Sequence, residues 1–390
     1  MATAIKSVTI PDFYIPTEVY LKQDVVSELG GIIGGIGSRA LIITTPRDLQ
    51  KFSDALDRVA HSLHGSDIAF IVYDDLVDIP NTEYVDSATY FAKKSHCDVI
   101  VGFGGIESIN VAKAVSILSS NYLFCDDLFE NPQVNQPLPL VTIPTHPIFG
   151  FEILPQLFIN EIKHQFKQVY AHRYLYPRAT VIDPAFATVI DDESTAYGSI
   201  SALSLATESV ISKTNNQMVN TYALKAIDLT FKFLPLAYRE PGNITARAHL
   251  AMASVMSGIA FTVCNLSVSM AIALALSSRT GVSVPQSMSL LLPHVMEYNL
   301  TSSPGKYVQM SKVMDEDVRD ITVIEAAIKA VEGVRKLEID SDIPQRLSSF
   351  EIPKTEFSRI AEIALNYPFL ENAPRPLSRD EIETILIAAY

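Results

Sequence analysis

The segment from Asp98 to Lys113 reads DVIVGFGGIESINVAK. Its apolar run, Val99 to Val101, predicts a buried strand. Gly102-Phe103-Gly104-Gly105 predicts a turn, and Ile109, Ala112 and Val115 share one side of a helix that begins near Ile106. A strand, a glycine turn and a helix in that order aim backbone N–H groups and a helix dipole at a phosphate. Glu107 falls in the first turn of the same helix, where a carboxylate satisfies the dipole itself. The turn is shaped for a nucleotide phosphate, and Glu107 is expected to put the protein's own charge in its place.

Other chemistry is sparse. The chain has no Gly-x-Ser-x-Gly elbow, no HExxH and no CxxC pair. Cys97, Cys125 and Cys264 are scattered, which argues against a disulfide framework or a thiolate metal site. It fits a reducing compartment, so a cytoplasmic protein is expected. The N-terminal stretch MATAIKSVTIPDF has no continuous apolar run of the kind a secretion signal needs. A net charge of −14 and a pI near 5.0 argue against a nucleic-acid partner. The acidic run Asp315-Glu316-Asp317 reads as a solvated face.

The elements that must position the turn follow from pattern. With 390 residues, 48% hydrophobic and 19% charged, the chain can bury a large core in two or three domains. Strands are predicted at Glu18–Leu21, Ala40–Thr44, Ile68–Tyr73, Val99–Val101, Leu140–Ile143 and Thr180–Ile182. Helical patterns lie between them at Val25–Ile33, Phe52–Leu63, Thr82–Lys94 and Ser108–Leu118. This alternation predicts a parallel sheet in an α/β layer. After Asp183-Pro184 strand signals vanish and nine helical runs follow. Residues 1–184 are therefore expected to form an α/β Rossmann-like domain, and 185–390 an all-helical one. Leu250 to Ser278 carries no charge over 29 residues, enough to span a bilayer. Gly258, Asn265 and five serines interrupt it, no basic flank marks its ends, and two buried helices explain it better than a membrane span.

Taken together, these features resemble the iron-containing (group III) alcohol dehydrogenase family, whose fold is a nucleotide-binding-type α/β domain followed by an all-α domain. Asp98–Lys113 is similar to the family's strand–GGGS–helix motif. Leu140–Glu152, LVTIPTHPIFGFE, resembles its IPTTAGTGSE loop. Ala179–Pro184 resembles its crossing into the helical half, Leu291–Asn299 its LLPHVMEFN, and the ending NAPRPLSRDEIETILIAAY is of family type. The resemblance implies NAD(P) bound between the domains. It also implies iron or zinc, held by one Asp and three His of the helical domain, acting as a Lewis acid on the alcohol oxygen.

Position by position, the chain departs from that pattern. The ligand Asp corresponds to Ser201, and the three ligand His to Leu205, Ile272 and Gln286. These residue types do not hold a divalent ion, so no metal is expected. In the phosphate loops Gly104, Gly105 and Thr145 remain, while Ile106, Glu107, Phe149 and Phe151 are expected to obstruct. A like-charge pair at ~5 Å and an effective dielectric of ~20 costs about 3 kcal/mol, and helix-terminus attraction offsets only ~0.3–1 kcal/mol of it. NAD(P) binding is left open and in doubt. Thr45 stands where the family often has an Asp for a ribose hydroxyl, with the solvated Arg47 two residues on. His146 is the best proton-donor candidate. Lys167 lies ten residues before Pro177, where some members place a lysine near the nicotinamide; a surface lysine near a hairpin is the other reading. His294 reads as structural, and His164 and His172 as exposed.

Two functions follow as expectations. One is a homologue with degenerate metal and NAD(P) sites, a pseudoenzyme with a binding, regulatory or assembly role. The other is a metal-independent NAD(P)H-dependent reductase or alcohol dehydrogenase acting on a small carbonyl or alcohol, as maleylacetate reductases suggest; ordinary iron-dependent alcohol oxidation, carried by overall similarity alone, ranks below both. The resemblance also implies a homo-oligomer, with no membrane or nucleic-acid partner.

Overall fold

The computed structural model describes residues 13–77 and 79–390. They divide into two compact units, one ending at Val189 and one running from Ile190 to Tyr390.

The first unit is built on a six-stranded parallel sheet. Its strands are β1 (Glu18–Leu21), β2 (Arg39–Ile43), β3 (Ala69–Tyr73), β4 (Val99–Gly104), β5 (Leu140–Pro144) and, later in the chain, β8 (Ala179–Ile182). The order across the sheet is β1-β8-β5-β4-β2-β3. The predicted strands are all present. β4 and β5 are wholly buried, as continuous apolar runs in a covered parallel sheet must be. Helices Ser53–His64, Thr82–Lys94 and Ile106–Ser119 join the strands. Leu41, Ile100, Val111, Val115 and Leu118 lie in one core cluster. The expected helix Val25–Ile33 is instead a 3-10 turn, Val25–Glu28, followed by the short helix Leu29–Gly34. β6 (Gln156–Glu161) and β7 (Phe166–Ala171) form a separate antiparallel hairpin.

Strand order decides where loops meet. β2 pairs with β3 on one side and β4 on the other, with Ile43 opposite Gly102; β4 then pairs with β5, with Gly104 opposite Pro144. After β2 the chain runs outward to β3, and after β4 it runs the other way to β5. The carboxyl ends of β2 and β4 thus flank a switch point, where open α/β sheets bind ligands.

The second unit contains helices Asp192–Ile211, Gln217–Arg239, Ile244–Cys264, Val268–Thr280, Val284–Asn299, Pro304–Val313, Val323–Asp340, Phe357–Ala364 and Arg379–Ala388. Most begin on a side-chain cap: Asp191, Asn216, Asn243, Ser267, Ser283, Thr322 and Ser378 each accept from a first-turn N–H. The long uncharged run breaks where Asn265 turns left-handed at φ 43° and Ser267 caps the next helix. Ile244–Cys264 is long and apolar enough to cross a membrane, yet 67% of its apolar window is buried within the fold, as in a core helix.

Candidate functional site

The glycine turn lies at the switch point. β4 ends at Gly104, Gly105 is the N-cap of helix Ile106–Ser119, and Gly105 supplies no capping side chain. A carboxylate from elsewhere is there instead. Asp48 Oδ2 accepts from the Gly105 N–H at 3.2 Å and from the Ser108 hydroxyl at 3.2 Å. Gly104 has φ +131°, and a Cβ built on it would stand 2.2 Å from the same oxygen. Only glycine allows both that backbone and that contact. The protein's own charge does occupy the turn, and Asp48 hydrogen-bonds there.

Asp48 is delivered by the short helix Pro46–Lys51. Thr45 caps this helix by accepting from Asp48 N at 3.1 Å, and Pro46 opens it. Thr45 therefore works as a helix cap, and Arg47 points to solvent as expected. A Thr-Pro-x-Asp start of this kind is readable as an N-cap. That Asp48 leaves its own helix to serve another is not.

Glu107 is half-buried on the other side of the turn. Its Oε2 and His146 Nε2 each come within 3.7 Å of the Cβ position of Gly105. The His146 Nδ1 sits 3.1 Å from the Thr145 hydroxyl. Lys167 is not a surface residue. It lies on β7, is 9% exposed and donates to Asn160 Oδ1 at 3.2 Å. Burial lowers its ammonium to about 8, partly offset by the Glu107 carboxylate. Glu107 and His146 thus meet at Gly105, with Lys167 in the field of Glu107.

The remaining loop residues pack inward. Ile106 is buried at the first helical position. Phe149 and Phe151 expose no surface; Phe151 packs on Phe158 at 4.8 Å between ring centroids. Phe149 and Gly150 are both left-handed, at φ 48° and 77°, which starts the 3-10 turn Phe151–Ile153. Lys113 holds that turn. Fully buried, it donates to the carbonyls of Phe151 at 2.6 Å and Gln156 at 3.0 Å, and its Nζ lies 3.5 Å from the Phe151 ring centroid. Asn110 Oδ1 accepts from Phe158 N at 2.8 Å, tying the same helix to the hairpin.

In the helical unit, Ser201 donates to the Gly198 carbonyl at 2.9 Å, and Leu205 and Ile272 are completely buried. Gln286 forms a reciprocal capping box with Ser283 at the start of its helix. Glu208, fully buried, accepts from Ser267 Oγ at 2.9 Å, from Ser269 N at 3.1 Å and from Val268 N. It neutralises the N-terminus of helix Val268–Thr280, and burial still raises its carboxyl to about 7. His294 is buried, its imidazole lowered to about 4 by desolvation. His164 is exposed and pairs with Glu161; His172, half-buried, accepts from Tyr174 N at 3.1 Å.

Comparison with known proteins bears on the whole chain. Residues 16–184 match the description "Iron-containing alcohol dehydrogenase", and residues 195–390 match "Fe-containing alcohol dehydrogenase family, C-terminal". The chain belongs to the iron-containing alcohol dehydrogenase family. It is 26% identical over 384 residues to a 1,3-propanediol dehydrogenase of Klebsiella pneumoniae, covering 97% of this chain and 98% of that one. It is 22% identical over 376 residues to an NAD-dependent methanol dehydrogenase of Bacillus methanolicus, covering 96% and 98%. A crystal structure of a 1,3-propanediol oxidoreductase superposes with a TM-score of 0.92 at 26% identity, covering 98% of this chain and 100% of the other.

Membership in this family corrects the expectation about cofactors. A protein with no metal and only doubtful NAD(P) is not what the comparisons support: the family is described as iron-containing, and a relative is named for its dependence on NAD. Among the described residues no group of three or more His, Cys, Asp or Glu side chains is placed to hold a metal ion. The phosphate turn is intact in backbone, with Asp48 seated in it.

Proposed function

We propose that this member of the iron-containing alcohol dehydrogenase family does not oxidise alcohols as its relatives are named for doing, and that it serves in a binding, regulatory or assembly role. The observation that supports this reading most is the use of Ser201, Leu205, Ile272 and Gln286 in packing and capping. None of the four offers an imidazole or carboxylate that would hold a Lewis-acid ion against an alcohol oxygen. The test is turnover. Protein incubated with ferrous iron or zinc is assayed with 1,3-propanediol and short alcohols against NAD+ and NADP+. No cofactor reduction above background is expected; saturable turnover would overturn the reading.

A second reading, an NAD(P)H-dependent reductase of a small carbonyl compound, is favoured by Lys167. An ammonium near 8 in the field of Glu107 supports a role in stabilising charge that develops on a carbonyl oxygen, and His146, near Glu107 at Gly105, is the proton donor of this reading. NADH or NADPH oxidation with small aldehydes, lost in Lys167→Met, would move the weight to it. We also place the protein in the cytoplasm as a homo-oligomer, on its likeness to its relatives and on three buried free cysteines. Light scattering that returns a monomer mass would remove the second part.

A further inference from the structure

Resting on the homo-oligomer proposed above, we propose that an aromatic strip of the α/β unit, Tyr90 with Tyr122 and Phe124, docks face to face on the same strip of a second copy of this chain.

Two antiparallel segments build the strip. Helix Thr82–Lys94 carries Asp86, Tyr90 and Lys94 at successive turns of one side. The loop after helix Ile106–Ser119 runs back along it. At one end Lys93 Nζ donates to the Asn121 carbonyl at 2.8 Å and lies 5.9 Å from the Tyr122 ring centroid. Lys94 Nζ lies 5.4 Å from the Tyr90 ring centroid, so rings and lysines form one surface. At the other end Asp86 Oδ1 accepts from Cys125 N at 2.8 Å. Burial raises the Asp86 carboxyl there, and the nearby charges of Asp126 and Asp127 add to the rise.

Tyr90 and Phe124 are 64% and 71% exposed, and Tyr122 is fully exposed. Adjacent rings of this size are costly to leave in water, and Tyr and Phe are enriched at the buried centre of protein interfaces.

The charges at the two ends say what covers them. Exposed Lys93 and Lys94 lie at one end, and exposed Glu83, Asp126 and Asp127 at the other, with about 12 Å of helix between Asp86 and Lys94. Such a strip is its own complement. A two-fold axis near Tyr90 turns one copy end for end, so the lysines of each copy meet the acids of the other, and Tyr122 of each meets Phe124 of the other. Chains of net charge −14 repel one another, and this pairing places opposite charges at the contact. An anionic membrane or a nucleic acid would meet Asp126 and Asp127 with like charge.

The test uses the full chain. Sedimentation velocity over a range of concentrations gives the mass and dissociation constant for the parent, Tyr90→Ser, Lys94→Glu, Asp126→Lys and the double variant Lys94→Glu/Asp126→Lys. Each single change should weaken association about tenfold or more. The double variant exchanges the charges of the two ends and should restore most of the loss. Tyr90→Cys, at the axis, should form an intermolecular disulfide in air, since Cys97, Cys125 and Cys264 are all buried. Association unchanged in Tyr90→Ser, or a double variant no better than the single reversals, would overturn the docking surface and leave the oligomer standing. A monomeric parent would remove both. Capture of a monomeric parent on phosphatidylserine vesicles, lost in Tyr90→Ser, would assign the strip to a membrane and likewise overturn the proposal.

Discussion

The Asp48 carboxylate lies 3.2 Å from the Gly105 amide, although the two residues stand 57 positions apart in the chain. Helix Ile106–Ser119 thus receives an N-terminal anion from a distant loop in addition to Glu107 in its own first turn. Glu107, the acid nearest in sequence, also looks towards Lys167 and His146.

That contact can be measured. Gly104→Ala places a Cβ 2.2 Å from Asp48 Oδ2 on a backbone at φ +131°, and should cost about 1–3 kcal/mol or more in urea unfolding. Adding Asp48→Ala should recover the part of the loss due to the clash. A double-mutant cycle with no coupling would show that the carboxylate does not rest against this glycine.

Lys113 should matter for stability. Lys113→Met removes a donor from the Gln156 carbonyl and one of two donors from the Phe151 carbonyl, which Leu154 N also serves, at about 1–3 kcal/mol for a buried group left unsatisfied, less what is regained by removing a buried amine. The expected result is a lower urea midpoint and faster proteolysis within the segment 149–156. An unchanged midpoint would mean that the amine adds nothing net.

Lys167 predicts a pH dependence. Burial lowers its folded value to about 8 from 10.5. Between these values the unfolded chain binds the extra proton, so stability gains as pH rises from about 8 towards 10.5. The cost of the buried charge is fully present below 8. The stability difference between Lys167→Met and the parent should therefore favour the variant most near pH 7 and shrink by pH 10. A difference that stays constant over this range would contradict the lowered value.

Glu208 should resist even an isosteric change. Val268 N, Ser269 N and Ser267 Oγ all point donors at its two oxygens, and Glu208→Gln turns an amide NH2 towards some of them. A loss of about 1–3 kcal/mol is expected, read as a lower midpoint in thermal or urea unfolding. Because burial raises its folded value to about 7, its contribution is greatest below the ordinary carboxyl range. It declines as pH rises towards 7. The penalty of the Gln variant should accordingly be larger at pH 4.5 than at pH 8; the reverse order would show that the ionised form is the one the fold prefers.

Much of the architecture was legible without coordinates. Apolar runs such as Val99–Val101 have one stable fate in a covered sheet, and caps such as Asn216 and Ser267 mark helix starts locally. Thr82–Lys94 and Ile244–Cys264 begin and end where pattern placed them. The glycine turn was legible too, since strand, glycines and helix are consecutive. Burial across the fold was not. From its neighbours Lys167 could be read either as a surface lysine or as one at a cofactor, and the fold puts it on β7 at 9% exposure.

The sequence by itself determined the local pieces: the turn at Gly104-Gly105, the helix that follows it, and caps such as Ser267 and Ser283 that start later helices. Each depends on residue type and short-range spacing. Tertiary structure alone decided which acid serves the turn. Placing β2 beside β4 brings the loop carrying Asp48 against Gly105, and strand order is a long-range outcome of packing that no local pattern encodes.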